Sequence, residues 1–126
     1  MSYRTDRQRV RGLGVTGDGT HHWWSQRLTA IAMVLLTPFF LFPFVRALGQ
    51  DWETVREIYG TPINAIVAIL FLLVGFNHLH QGIQVVIEDY VHDKPLRTAA
   101  LLANVFICLA LALIGVFAVA KIAFTA

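Results

Sequence analysis

Two histidines, a carboxylate and a phenol carry most of the chemistry available to this 126-residue chain. They fall between Asn77 and Pro95, in the segment NHLHQGIQVVIEDYVHDKP. His78 stands inside an apolar run long enough to cross a bilayer, and that run ends on Asp89 and Tyr90. Ionisable residues within a membrane segment are costly, so by default they mark a functional site. An imidazole in the membrane is a potential ligand for a metal or a haem. An acid–phenol pair at the surface can handle a polar substrate. The layout suits a redox protein with a cofactor in the lipid and a substrate at the interface.

Helical geometry decides which of these residues act together. At about 100° per residue, Gly75, His78, Gly82 and Asp89 form one stripe. The glycines leave a shallow groove beside the imidazole, where a flat macrocycle could lie against the backbone. The same two glycines equally suit close helix–helix packing. His80 lies about 200° round from His78 and faces away. The stripe favours His78 as the ligand, with a hydrogen-bonded packing role as the plain alternative. His78 sits roughly 15 Å along the helix from Asp89. It is the one good axial ligand, because His21, His22 and His92 fall at the surface. A haem held by two imidazoles would therefore take its second ligand from a partner subunit. His21 and Arg27 add a third element, at the mouth of the first apolar run. A guanidinium just inside such a run is costly unless it snorkels. Anionic haem propionates would be a natural partner for it, and a topology-setting arginine in the headgroups is the alternative.

The elements that must position these groups are membrane helices. The chain is 56% hydrophobic and 14% charged, whereas a soluble domain is about a quarter charged. Apolar stretches run from about Leu28 to Val45, Ile63 to Ile87 and Ala99 to Phe124. A helix needs about 20 mainly apolar residues to span the hydrocarbon, and all three qualify. The spacing predicts helices over about 25–48, 61–90 and 96–124, forming an anchor domain over 25–126. A polar, basic, cytoplasmic tail over 1–24 precedes them, and no room remains for a separate soluble domain. The tail carries Arg4, Arg7, Arg9 and Arg11 but no apolar core, so it does not read as a secretory signal. Cys108 is alone, which excludes a disulfide framework and leaves a small packing residue. The tail reads as a topology signal, not a nucleic-acid patch, because nothing here forms a groove-reading fold.

Seven of the ten Lys and Arg residues lie before the first run or between the second and third, and three lie on the other side. The positive-inside rule places the N-terminus in the cytoplasm. Trp23 and Trp24 sit at the inner edge, where aromatic belts form. Pro38 and Pro43 should bend the first helix, which then needs protein neighbours. Thr61-Pro62 reads as a cap followed by a first helical residue, and Pro95 opens the third helix.

Taken together, these residues resemble the D-type hydrophobic membrane-anchor subunits of succinate dehydrogenase, respiratory complex II. The resemblance runs from about His21 to the end of the third helix. Its strongest part is H-x3-G-x6-D-Y at His78, Gly82, Asp89 and Tyr90, followed by Val91. Its second part is R-x-T-A-I at Arg27, Thr29, Ala30 and Ile31, with His21 six residues upstream. The resemblance implies an all-α membrane protein whose three transmembrane helices, N-terminus in the cytoplasm, pack with a partner anchor subunit into a bundle. It implies that His78 is an axial ligand of haem b, the other coming from a C-type anchor. Tyr90 would hydrogen-bond ubiquinone, with Asp89 shaping the local charge, and His21 and Arg27 would contact the propionates. Flavoprotein and iron–sulfur subunits would dock on the cytoplasmic face. The membrane would be the bacterial inner membrane, or the mitochondrial one in a eukaryote. The chain would not be catalytic alone. Two other classes compete: a transporter subunit with a His78–Asp89 proton relay, and a purely structural anchor.

Overall fold

The three apolar runs become three long helices. A computed structural model describes residues 5–11 and 17–125. It contains α1 (Asp6–Arg11), α2 (Gly17–Ala47), α3 (Trp52–Gly60), α4 (Pro62–Tyr90) and α5 (Lys94–Thr125). No strand occurs among the described residues. Three segments are long and apolar enough to cross a membrane: Thr20–Ala47, Pro62–Tyr90 and Lys94–Thr125. Of the basic tail, Arg4 and the side chains of Arg9 and Arg11 lie outside the described residues.

Helix boundaries differ from expectation where polarity was taken for structure. α2 starts at Gly17 rather than near residue 25. From Thr20 to Thr37 the chain has neither Gly nor Pro, so a helix once formed propagates past the edge of the apolar run. α2 also runs unbroken through Pro38 and Pro43. The connection after it contains α3, an element the sequence analysis treated as loop. Asp51 caps α3 by accepting the Thr54 N–H at 3.0 Å, and hydrogen bonds from Thr54 hold its carboxyl below the usual value. Gly49, at φ +73°, makes the left-handed turn between α2 and α3, a conformation that costs glycine least.

α4 begins as expected at Pro62, with Thr61 at the cap position. The Thr61 hydroxyl, however, bonds back to the Glu57 carbonyl at 3.3 Å and does not cap α4. α5 begins one residue before Pro95, because Asp93 accepts the Leu96 N–H at 2.9 Å as its cap.

α4 is the central element. It packs against α2 on one side and α5 on the other, and among the described residues α2 and α5 do not pack on each other. The α4–α5 seam is built from small residues: Ala65 and Ala68 on α4 and Cys108 and Ala112 on α5 are all buried, Ala65 beside Ala120 and Ala123 and, further along, Cys108 and Ala112 beside Leu73, Phe76 and His80. Gly115 opposes Leu72, so that an added Cβ would stand 3.1 Å from Leu72 Cδ1. Close approach of this kind is the main source of helix association in lipid, where burying apolar surface gains little. Asn104 is also buried there and donates to the His80 carbonyl at 2.9 Å. α3 covers one end of α4 and α5, with Arg56 donating to the Thr125 carbonyl.

Gly115→Leu should force these helices apart and destabilise the chain by about 1–3 kcal/mol. Denaturant unfolding of the chain in detergent micelles measures it, and an unchanged midpoint would mean that Leu72 moves aside freely.

Candidate functional site

The α2–α4 seam is polar at one end and apolar at the other. α2 presents Ser25, Thr29 and Met33 at helical spacing, and antiparallel α4 meets them with Gln81, His78 and Gly75. Gln81 Nε2 donates to Ser25 Oγ at 2.9 Å and to Asn77 Oδ1 at 3.2 Å. Thr29 Oγ1 lies 2.9 Å from His78 Nδ1. Gly75 faces Met33, whose Sδ would be 3.5 Å from an added Cβ, and Gly82 faces Gln26 at 3.6 Å. The glycine stripe is therefore a helix–helix contact with α2. Further along, Phe40 and Phe71 stack with centroids 4.1 Å apart.

His78 is half-buried in this seam. One ring nitrogen is engaged by Thr29, and Nε2 has no partner among the described residues. A coordinating imidazole needs that arrangement, with one nitrogen oriented by a hydrogen bond and the other offering its lone pair. Among the described residues no three His, Cys, Asp or Glu side chains cluster to hold a metal ion. Iron bound here through His78 alone would be held by a single protein ligand from this chain.

His80 faces elsewhere, as its helical position requires. It lines an apolar cavity of about 260 Å³ against Val105, Cys108 and Ala112 of α5. It also borders a polar cavity of about 570 Å³ with His21, Ser25, Gln81, Gln84 and Glu88. Two buried atoms near this cavity, His22 Nε2 and Gln81 Oε1, have no hydrogen-bond partner among the described residues. His21 thus lines a cavity with His80. Arg27 is exposed, with its guanidinium 4.9 Å from the Trp23 ring centre.

Asp89 and Tyr90 stand exposed at the end of α4, and Tyr90 is 78% accessible. His92 Nδ1 lies 3.1 Å from the Tyr90 carbonyl. The sequence analysis missed the partners of the site: Ser25, Asn77, Gln81, and Thr29 as a contact to the ring. The four-residue spacings Ser25–Thr29 and Asn77–Gln81 were the available signal, since each places two polar side chains on one face of a membrane helix.

Fold and seam together define a polytopic membrane protein of three spans, with an imidazole, His78, inside the second. The chain belongs to the family of succinate dehydrogenase/fumarate reductase transmembrane subunits, whose family model matches residues 1–117. The succinate dehydrogenase hydrophobic membrane anchor subunit of Paracoccus denitrificans is 34% identical over 121 residues, covering 96% of this chain and 93% of that protein. The subunit of the same name from Rickettsia bellii is 32% identical over 101 residues, covering 80% and 81%. The succinate dehydrogenase membrane anchor subunit of Reclinomonas americana is 29% identical over 89 residues, covering 68% and 74%. No solved structure matches the chain.

Ser25→Ala leaves Gln81 Nε2 with Asn77 alone. It should destabilise the chain by about 0.5–2 kcal/mol, the range for hydrogen bonds between membrane helices. Unfolding in micelles checks this, and a neutral result would mean that Gln81 turns to a different acceptor.

Proposed function

We propose that this chain is the membrane anchor of a succinate:ubiquinone oxidoreductase, and that it holds haem b jointly with a second hydrophobic subunit. The observation that carries the haem assignment is His78: an imidazole within a membrane span, engaged at Nδ1 by Thr29 and without a partner at Nε2 among the described residues. The family membership and the three spans support the anchoring role. When bound, the haem supplies one-electron redox chemistry and a structural link between the two anchor subunits. The second imidazole would come from the partner anchor.

His21 and Arg27 would hold the propionates. Among the described residues Arg27 has no carboxylate partner, and its guanidinium lies over the Trp23 ring. Its guanidinium could therefore turn to an anionic group without breaking an ion pair.

At the end of α4, Tyr90 would donate its phenol O–H to a ubiquinone carbonyl and stabilise charge developing on that oxygen. Asp89 would shape the local field beside it, and its exposure gives protons a direct route from water. The flavoprotein and iron–sulfur subunits would carry out succinate oxidation and deliver electrons on the face where α4 ends. The membrane would be the bacterial inner membrane, or the mitochondrial inner membrane in a eukaryote.

Two substitutions test the reading in the purified complex. His78→Ala should remove the b-type spectrum or loosen the haem, whereas His80→Ala should leave it. Loss of the spectrum in His80→Ala alone would reassign the ligand. Tyr90→Phe should slow ubiquinone reduction by about 10- to 100-fold, the value of a hydrogen bond to a charged acceptor. Succinate oxidation with an artificial acceptor should stay normal, and equal loss of both activities would indicate failed assembly.

A further inference from the structure

Among the described residues the Thr29 hydroxyl makes the single hydrogen-bonding contact to the His78 ring. A hydroxyl has one proton to donate. Thr29 Oγ1 lies 3.0 Å from the Ser25 carbonyl, 3.0 Å from the Gln26 carbonyl and 2.9 Å from His78 Nδ1. The two carbonyls can only accept. While the hydroxyl proton points at either of them, the imidazole must be the donor, through Nδ1–H. In the opposite arrangement the hydroxyl donates to a bare Nδ1 and the ring proton moves to Nε2. That proton would meet no acceptor among the described residues, and an unsatisfied N–H inside a membrane protein is costly.

We propose that Thr29 is the positioning residue for His78. Its hydroxyl holds the ring as the Nδ1–H tautomer and so keeps the Nε2 lone pair free for iron. The proposal rests on the haem reading above. Ligating histidines commonly donate their second N–H to an oxygen, which fixes the ring plane and raises its basicity. Here the oxygen belongs to a different helix and is itself anchored to two backbone carbonyls of α2. The ring orientation therefore follows the register of α2 on α4. Gln81–Ser25 fixes that register one turn away, and Gly75–Met33 fixes it on the other side.

Two variants separate the hydroxyl from the space it fills. Thr29→Val keeps the shape and removes the hydroxyl, and Thr29→Ser keeps the hydroxyl and removes the methyl. In the purified complex the Val variant should bind haem about 10- to 100-fold more weakly. Its low-spin electron paramagnetic resonance signal should shift. Its haem potential should move positive, because a less basic imidazole stabilises ferric iron less. The Ser variant should stay close to the wild type in all three. The tautomer is read independently of haem, by ¹⁵N-histidine NMR of the full haem-free chain in nanodiscs, with the His78 signal identified by its loss in His78→Gln. Wild type and Ser should show Nδ1–H, and Val should show Nε2–H growing in. An Nε2–H ring in the wild type overturns the proposal. So does a Val variant with unchanged tautomer, haem ratio and potential, and so does an equal change in Val and Ser. A wild-type complex without haem sinks the haem assignment instead, and the NMR result still decides the tautomer.

Discussion

A polar side chain in the middle of a membrane protein must find its partner within the protein. That constraint organises α2 against α4. Asn77, His78 and Gln81 stand on a helix apolar enough to span the bilayer, and lipid cannot satisfy them. Ser25 and Thr29 on α2 answer two of them at 2.9 Å each. These contacts are directional, so they fix the rotation of each helix as well as its proximity. Small residues alone would let α2 slide by a turn, because a glycine accepts many neighbours. The hydrogen bonds remove that freedom and leave one register.

The same economy of partners shapes the rest of the molecule. Among the described residues no large side chain is fully buried, and the buried positions are mainly alanines, a cysteine and two polar groups. Large apolar residues such as Phe39, Phe106 and Phe117 are about two-thirds exposed. A water-soluble chain with that surface would aggregate. In hydrocarbon it costs nothing, and it leaves broad faces of α2 and α5 for lipid or a neighbouring subunit. The unsatisfied His22 Nε2 and Gln81 Oε1 are different. Buried polar atoms without partners are rare in finished structures, and these two border the polar cavity at the end where α2 begins and α4 finishes. They mark the place where a single chain is least complete.

Much of this was legible in the sequence, for identifiable reasons. The spans follow from run length, and the α4 start follows from Thr61-Pro62, because proline at the first helical position has a local cause. The early start of α2 and the existence of α3 were not legible from hydropathy. Hydropathy reports where lipid ends, whereas a helix ends where its hydrogen bonds do. The face carrying Gly75, His78 and Gly82 was correctly grouped by its period, but the period could not say what lay opposite. Groove and helix contact make the same pattern, and the choice depended on Met33 and Gln26, more than 40 residues away in sequence. His21 and Arg27, six residues apart on α2, lie on different faces of that helix: His21 borders a cavity and Arg27 stands over the Trp23 ring.

Placing His78 and Tyr90 on one helix has a mechanical consequence. His78 and Tyr90 are twelve residues apart, or about 18 Å along α4 at 1.5 Å per residue. Helix geometry fixes that depth difference, and no movement between subunits can change it. The ring plane of His78 is set separately, by α2, and the exposure of Tyr90 is set by the short Val91–Asp93 connection that Asp93 closes as the cap of α5. Depth, orientation and access thus depend on three different parts of the chain. A substitution in one of them can alter its own quantity and leave the other two in place, provided that α4 itself stays helical.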